Sequence, residues 1–136
     1  MTSAEAFKKY GEPVNGSRHL TVFDVPTELE IGYIPKKIYC NKDIVEPLML
    51  VFIDLIQTGL VKEIKSWDGC FNIRPKRTSK SMSLHSWGLA VDINAFENPM
   101  GQPCKFSKPF LSIWRKHGFE CGADWSYPDG MHFQLK

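Results

Sequence analysis

The chain has 136 residues, of which 43% are hydrophobic and 12% aromatic, and its formal net charge is +2 at pH 7. This length suits one folded domain with its own core, so we expect a single domain over residues 1–136. So small a charge argues against a nucleic-acid-binding protein, whose domain is usually strongly basic. The longest apolar run, from Pro47 to Ile56, contains Asp54 and is too short to cross a bilayer, so no membrane insertion is expected.

The cysteines and the first residues indicate the compartment. The N-terminal residues contain no apolar segment of the signal-peptide type, which predicts a cytoplasmic protein. The four cysteines form no Cys-x-x-Cys pair, so we expect reduced, mostly buried thiols that act as packing residues. These residues are Cys40, Cys70, Cys104 and Cys121.

The first third of the chain predicts two helices and two short strands. Residues 2–9 favour a short helix, and strand signals follow at 22–23 and 37–40. Asp43-Ile44-Val45-Glu46 has the spacing of a capping box and predicts the start of the second helix. Pro47 would then lie in the first turn, where its missing N–H does least harm.

Strand patterns replace the helical pattern after residue 59. Residues 60–67 and 70–74 are separated by Asp68-Gly69, which predicts a β-hairpin. A basic, hydroxyl-rich loop follows, from Arg74 to Ser81. This loop leads into the segment that contains His85 and Asp92, whose side chains are the best suited to catalysis or metal binding.

A histidine and an aspartate begin the next apolar run. His85 and Asp92 are seven residues apart, whereas a helical metal-binding pair needs a spacing of four. We expect His85 in a loop that turns back at Gly88, and Asp92 on the following strand with Val91 and Ile93 on its opposite face. A carboxylate on such an apolar strand is unfavourable to bury unless it is paired or binds a metal.

The last third of the chain predicts a helix and a final strand. Ser107 is placed as the N-cap of the helix, with Pro109 in its first turn. On the final strand, His132 and Gln134 face one way and the intervening apolar residues face the other. Two histidines and a carboxylate on neighbouring strands make a three-ligand site with a fourth position open, as in catalytic zinc sites.

These elements predict an α+β fold in which a small antiparallel sheet carries the zinc site and two to three helices flank it. Ser83 is expected to brace the loop of His85. His19 and His117 lack a supporting context and are expected at the surface or at a helix end. Trp87 and Trp125 are expected either in the core or in the pocket wall.

The sequence resembles a known family at the residues just described. Ser-x-His-x-x-Gly-x-Ala-x-Asp, from Ser83 to Asp92, is followed by Asp-x-x-His-Phe from Asp129. This pattern resembles the D-alanyl-D-alanine carboxypeptidase and L-alanyl-D-glutamate endopeptidase family, zinc peptidases of peptidoglycan with a fold related to the Hedgehog zinc domain. The similarity covers about residues 68–136, and residues 10–13 are similar to a common opening of the family.

The resemblance implies a role for each matching residue. It implies that His85, Asp92 and His132 are the Zn²⁺ ligands and that Asp129 is the catalytic acid and base. Arg74 lies where the family has an arginine that holds the substrate near the scissile carbonyl. Arg77 is an alternative for that role.

The resemblance also implies a function. Small members without a signal peptide look most like phage endolysins, which implies a monomeric L-alanyl-D-glutamate endopeptidase acting on the peptidoglycan peptide stem. Such an enzyme is expected in the host cytoplasm, without a separate cell-wall-binding domain, and reaches the wall by a route that this chain does not encode. A second function compatible with the resemblance is that of a D-alanyl-D-alanine carboxypeptidase or a dipeptidase. A third is that of a zinc-bearing binding module without catalysis, although the intact Asp129 argues against it.

Overall fold

The computed structural model describes all 136 residues and has the predicted α+β architecture. The helices are α1 (Ser3–Tyr10), α2 (Lys42–Gln57) and α3 (Lys108–Lys116). The strands are β1 (Leu20–Asp24), β2 (Lys37–Asn41), β3 (Trp67–Gly69), β4 (Ala90–Ile93), β5 (Phe119–Cys121) and β6 (His132–Leu135). None of the helices combines the length and the apolar character needed to cross a membrane.

Two antiparallel sheets organise the chain. β1 and β2 form a two-stranded sheet, while the larger sheet has the order β3-β4-β6-β5. In the larger sheet β4 and β6 are neighbours, and their register pairs Asp92 with His132. The topology therefore brings the middle of the chain and its last strand together at the centre of one sheet.

The two faces of the larger sheet differ in character. Val91, Ile93 and Phe133 are fully buried on one face, as the alternation predicts, and belong to the main hydrophobic core with α2 and α3. There the indole of Trp114 stacks on Phe133 with 4.3 Å between ring centroids. The polar residues of β4 and β6 lie on the other face, so the core supports the candidate site from behind.

The predicted hairpin over residues 60–74 is wrong. Residues 60–63 form a turn of 3-10 helix, and β3 pairs with β4 instead of with residues 70–74. The segment after β3 bonds to the loop of His85: Asn72 N donates to His85 O at 3.0 Å, and Arg74 N donates to the Ser86 hydroxyl at 3.1 Å. An alternating pattern shows that a segment can pair but does not identify its partner, and here the distant partner is preferred.

The predicted start of α2 is also wrong. Asn41 is the N-cap, and its side chain accepts a hydrogen bond from Asp43 N at 2.9 Å. Pro47 consequently lies inside the helix and not in its first turn. Its missing N–H leaves the carbonyl of Asp43 without its helical partner, a loss confined to one hydrogen bond near the helix start.

The remaining helix predictions agree with the structure. α1 begins after Thr2, whose hydroxyl and Glu5 form a capping box. α3 begins after Ser107, whose hydroxyl accepts from Phe110 N at 3.3 Å. β1 is longer than the two predicted residues because it pairs along its whole length with β2.

All four cysteines are free thiols; Cys40, Cys70 and Cys121 are buried, as predicted, and Cys104 is partly buried. Burial raises the pKa of Cys40 and of Cys121 to about 12. Thiols with such pKa values stay protonated near neutral pH and are poor metal ligands and poor nucleophiles.

Gly88 connects the loop of His85 to the start of α2. Its carbonyl accepts from Asn41 N at 3.0 Å, and the Asn41 side chain donates to Trp87 O at 3.1 Å. Gly88 has φ +68°, and a Cβ atom there would lie 2.6 Å from Asn41 N. The turn predicted at Gly88 thus needs glycine for its backbone conformation and for the close approach of another segment.

We expect Gly88→Ala to lower the free energy of unfolding. The left-handed backbone alone costs a non-glycine residue about 1–2 kcal/mol, and the clash with Asn41 N adds to this. Gly59→Ala is the matched control, because Gly59 has φ +75° and open space around its Cβ position. Urea denaturation should show the larger loss for Gly88→Ala; equal losses would show that the close approach is unimportant.

Candidate metal centre

The three residues predicted as zinc ligands meet on the polar face of the larger sheet. One side-chain atom from each of His85, Asp92 and His132 lies within 4.8 Å of the other two. Nε2 of His85 is 3.1 Å from Oδ2 of Asp92, and Nδ1 of His132 is 3.3 Å from Oδ1 of Asp92. The histidines are 2% and 6% exposed, so the cluster is built into the protein.

A short turn of 3-10 helix, Leu84–Trp87, presents His85. Ser83 caps this turn, and its hydroxyl accepts from His85 N at 3.2 Å, which is the bracing role expected for it. Nδ1 of His85 lies 2.6 Å from the carbonyl of Cys70. Because a carbonyl can only accept, Nδ1 carries the proton and Nε2 presents a lone pair towards Asp92.

His132 is held in the complementary way. Its Nε2 lies 2.8 Å from Oε1 of Gln134, two residues further along β6. Donation from Nε2–H to this amide oxygen leaves the lone pair on Nδ1, which is the atom that faces Asp92. Both imidazoles therefore direct a lone pair at the same carboxylate.

The environment of Asp92 favours its ionised form. Burial raises the pKa of this carboxyl, but the neighbouring His132 and His85 have the larger combined effect, and the pKa lies well below its ordinary value. Asp92 is consequently a carboxylate over the neutral range. A lone pair facing a carboxylate oxygen at 3.1–3.3 Å is favourable only when a proton or a metal cation lies between the two atoms.

The donor set fits a metal ion. Four buried side-chain polar atoms of the protein lack a hydrogen-bond partner, and three of them belong to this region: Nε2 of His85, Oδ1 of Asp92 and Oδ1 of Asp129. Unsatisfied buried polar atoms are rare in folded proteins and call for an explanation. Two neutral imidazole nitrogens and one carboxylate form a three-ligand set suited to Zn²⁺ with one position open.

Asp129 lies beside this cluster on the turn that leads into β6. Its carbonyl accepts from His132 N at 3.0 Å, and its own N–H donates to Gly122 O at 2.9 Å. Burial raises the pKa of its carboxyl, the negative charge of Asp92 adds to the shift, and the positive charge of Arg77 opposes it. A carboxyl group with a raised pKa and an unpaired oxygen suits proton transfer near neutral pH.

Gly122 supports Asp129 in a way that the sequence does not reveal. A Cβ atom at this position would clash with the carbonyl of Asp129. The chain around Gly122 therefore packs directly against the turn that carries the carboxyl group. The carbonyl of Cys70 and the amide of Gln134 were likewise not assigned a role from sequence, because main-chain acceptors and ligand-orienting amides have no motif of their own.

The cluster opens into a cavity of about 380 Å³ with a basic wall. Arg74, Lys76 and Arg77 line this wall, and Asp92, Asp129 and His132 line the same cavity. The main chain of Arg74 is held at both ends: its N–H donates to the Ser86 hydroxyl, and its carbonyl accepts from Ser83 N at 3.0 Å. Both arginines considered for substrate binding are thus at the site, Arg74 on an anchored segment and Arg77 in the exposed loop that follows.

The sequence did not decide whether Trp87 and Trp125 lie in the core or in the pocket wall, and the structure places them differently. Trp87 is buried in a second hydrophobic cluster, and its Nε1 donates to Gly11 O at 2.8 Å. Trp125 belongs to the cavity wall, with its ring centroid 5.3 Å from that of His132 and its Nε1 donating to Glu120 at 2.6 Å.

The other two histidines are outside the site. His19 is partly exposed and packs edge-on against Tyr10. His117 caps the end of α3, and its Nε2 lies 2.6 Å from a carboxylate oxygen of Asp54 in α2.

We expect purified protein to bind about one equivalent of zinc, measured by elemental analysis after dialysis. His85→Ala should lose most of the bound metal, whereas His19→Ala should keep it. Affinity should fall as the pH drops below about 6–7, because protonated imidazole cannot bind a metal. Full zinc content in His85→Ala would contradict the assignment of the ligand.

Comparison with known proteins agrees with this site. Residues 76–135 match the family model described as D-alanyl-D-alanine carboxypeptidase. A search of curated proteins and a search of solved structures found no match to the chain. The matched residues are less than half of the chain, but they include His85, Asp92, Asp129 and His132. The match makes this part of the chain similar to the D-alanyl-D-alanine carboxypeptidases and supports a metallopeptidase that acts on a peptidoglycan-like substrate.

Proposed function

We propose that this protein is a zinc peptidase that hydrolyses the L-alanyl-D-glutamate bond of the peptidoglycan stem, in the role of a phage endolysin. The observation that carries the proposal is the cluster of His85, Asp92 and His132, in which each histidine has a defined tautomer, next to a cavity that Asp129 also lines. The proposal treats residues 1–136 as one catalytic domain that acts as a monomer and is made in the host cytoplasm.

The chemistry follows from the residues present. His85, Asp92 and His132 would hold zinc, which when bound supplies a Lewis acid that polarises an amide carbonyl and lowers the pKa of water. Asp129 accepts a proton from the attacking water and donates a proton to the leaving amine. Its raised pKa favours the second step, since the carboxyl group keeps its proton at a higher pH than an exposed aspartate does.

The basic wall supports an anionic substrate. Arg74, Lys76 and Arg77 line the cavity that contains Asp129. A guanidinium binds a carboxylate through two parallel hydrogen bonds and so orients it as well as attracting it. The glutamate of a peptide stem has a free carboxylate next to the proposed scissile bond, which suits this wall.

A carboxypeptidase or dipeptidase that cuts D-alanyl-D-alanine is the second candidate. It is favoured by the description of the matching family model, and the terminal carboxylate of its substrate would suit the same basic wall. Mass analysis of fragments released from purified cell wall separates the two candidates. A new N-terminal glutamate on the released peptides supports the endopeptidase, and release of free alanine supports the carboxypeptidase.

Asp129→Asn is expected to abolish most of the cleavage while the protein still folds and binds zinc. The change keeps the size of the side chain but removes the proton acceptor, and general acid–base catalysis contributes about two to four orders of magnitude. Cleavage of purified wall is measured together with zinc content and thermal unfolding.

The control for this variant is Asp124→Asn, because Asp124 is exposed and pairs with Arg115. It should retain cleavage. Loss of zinc from Asp129→Asn would make Asp129 a ligand. Unreduced cleavage would make it a turn residue only.

Arg74→Ala is expected to keep zinc and the unfolding temperature but to lose most of the activity, through a weaker hold on the substrate carboxylate. Its structural role is carried by the main chain, which the substitution leaves in place. Arg77→Ala is the matched comparison because its side chain lines the same cavity. Wild-type activity in Arg74→Ala together with a collapse in Arg77→Ala would transfer the role to Arg77.

A further inference from the structure

Gln134 occupies a position between a candidate ligand and the N-terminal segment. Its Oε1 accepts from Nε2 of His132 at 2.8 Å, and its Nε2 donates to the carbonyl of Met1 at 3.3 Å. Gln134 is 8% exposed and lies in the middle of β6, paired with Ala90 on one side and Glu120 on the other. Both ends of its amide are therefore engaged, and its strand is paired on both sides.

The orientation of this amide determines the tautomer of His132. If the amide were turned by 180°, its NH₂ group would face Nε2 of His132, and the imidazole proton would have to move to Nδ1. Nδ1 is the atom 3.3 Å from Asp92 Oδ1, and with a proton it could not bind a metal. The negative charge of Asp92 itself favours a proton on Nδ1, so an opposing acceptor at Nε2 is needed.

The carbonyl of Met1 is the group that holds the amide in the useful orientation. A carbonyl accepts and cannot donate, so it selects the NH₂ end of Gln134 and leaves Oε1 for His132. The same N-terminal segment contacts the turn of the other histidine: Phe7 of α1 packs edge-on against Trp87 at 4.9 Å, and Trp87 donates to Gly11. Residues 1–11 thus lie outside the span matched by the family model but contact the supports of both histidines.

We infer that Gln134 is a positioning residue that keeps the Nδ1 lone pair of His132 directed at the metal, and that the carbonyl of Met1 sets the orientation of Gln134. The inference rests on the proposed metal site. Loss of a group that orients a metal-binding histidine typically lowers metal affinity 10–100-fold. Gln134 lines the cavity, but in this role it acts through His132 and is not a ligand of the metal.

Two substitutions separate orientation from packing. Gln134→Met keeps the length of the side chain and removes both hydrogen bonds, whereas Gln134→Glu keeps an acceptor for His132 and loses the donor to Met1. Gln57→Met is the control, because Gln57 is an exposed glutamine at the end of α2. Zinc affinity is measured by competition with a chelator, and the folding of each metal-free variant by thermal unfolding.

We expect zinc binding about 10–100-fold weaker in Gln134→Met, most of the affinity regained in Gln134→Glu, and no change in Gln57→Met. Nitrogen-15 NMR of neutral His132 in the metal-free protein should show the proton on Nε2 in the wild type and a shift towards Nδ1 in Gln134→Met.

Wild-type affinity in a folded Gln134→Met, or the same His132 tautomer in both proteins, would overturn the inference. So would a Gln134→Glu variant as weak as Gln134→Met. A wild-type protein that binds no zinc would count against the proposed function. The tautomer measurement needs no metal and would still decide the role of Gln134.

Discussion

The burial of one carboxylate on a central strand constrains the rest of this structure. Asp92 lies on β4, whose opposite face is packed into the main core, so the sheet fixes the position of the carboxylate. His85 and His132 are placed on either side of it. Because both imidazoles donate their protons away from Asp92, the shared space between the three side chains suits a cation.

The groups that orient the histidines come from different parts of the chain. The carbonyl of Cys70 follows β3, Gln134 belongs to β6, and the carbonyl that contacts Gln134 belongs to Met1. The contact between His132 and Gln134 is local, but the contacts of Cys70 with His85 and of Met1 with Gln134 join segments that are distant in the sequence. The supports of the two histidines therefore come together only when the sheet is assembled and the N-terminal segment is docked.

The candidate site could be predicted from sequence because its charged and polar residues occur at positions where such side chains are otherwise unfavourable or unexplained. Asp92 on an apolar strand, His132 on an alternating strand and Asp129 in a turn next to it are informative because each would otherwise be unfavourable or unexplained. The hairpin at 60–74 and the start of α2 were predicted wrongly for a common reason. Both patterns are compatible with local partners, but β3 pairs with β4, and the cap of α2 comes from the strand before it, Asn41.

The sequence by itself determined which residues have the chemistry of a metal site, which face of β4 and of β6 is apolar, and where α1 and α3 begin. These properties depend on residue type and on short-range periodicity, which are present in the unfolded chain. Only the tertiary structure decided the tautomer of each histidine, the raised pKa of Asp129, the separate positions of Trp87 and Trp125, and the need for glycine at 88 and 122. Those properties arise from burial and from contacts between distant segments, which come into existence when the chain folds.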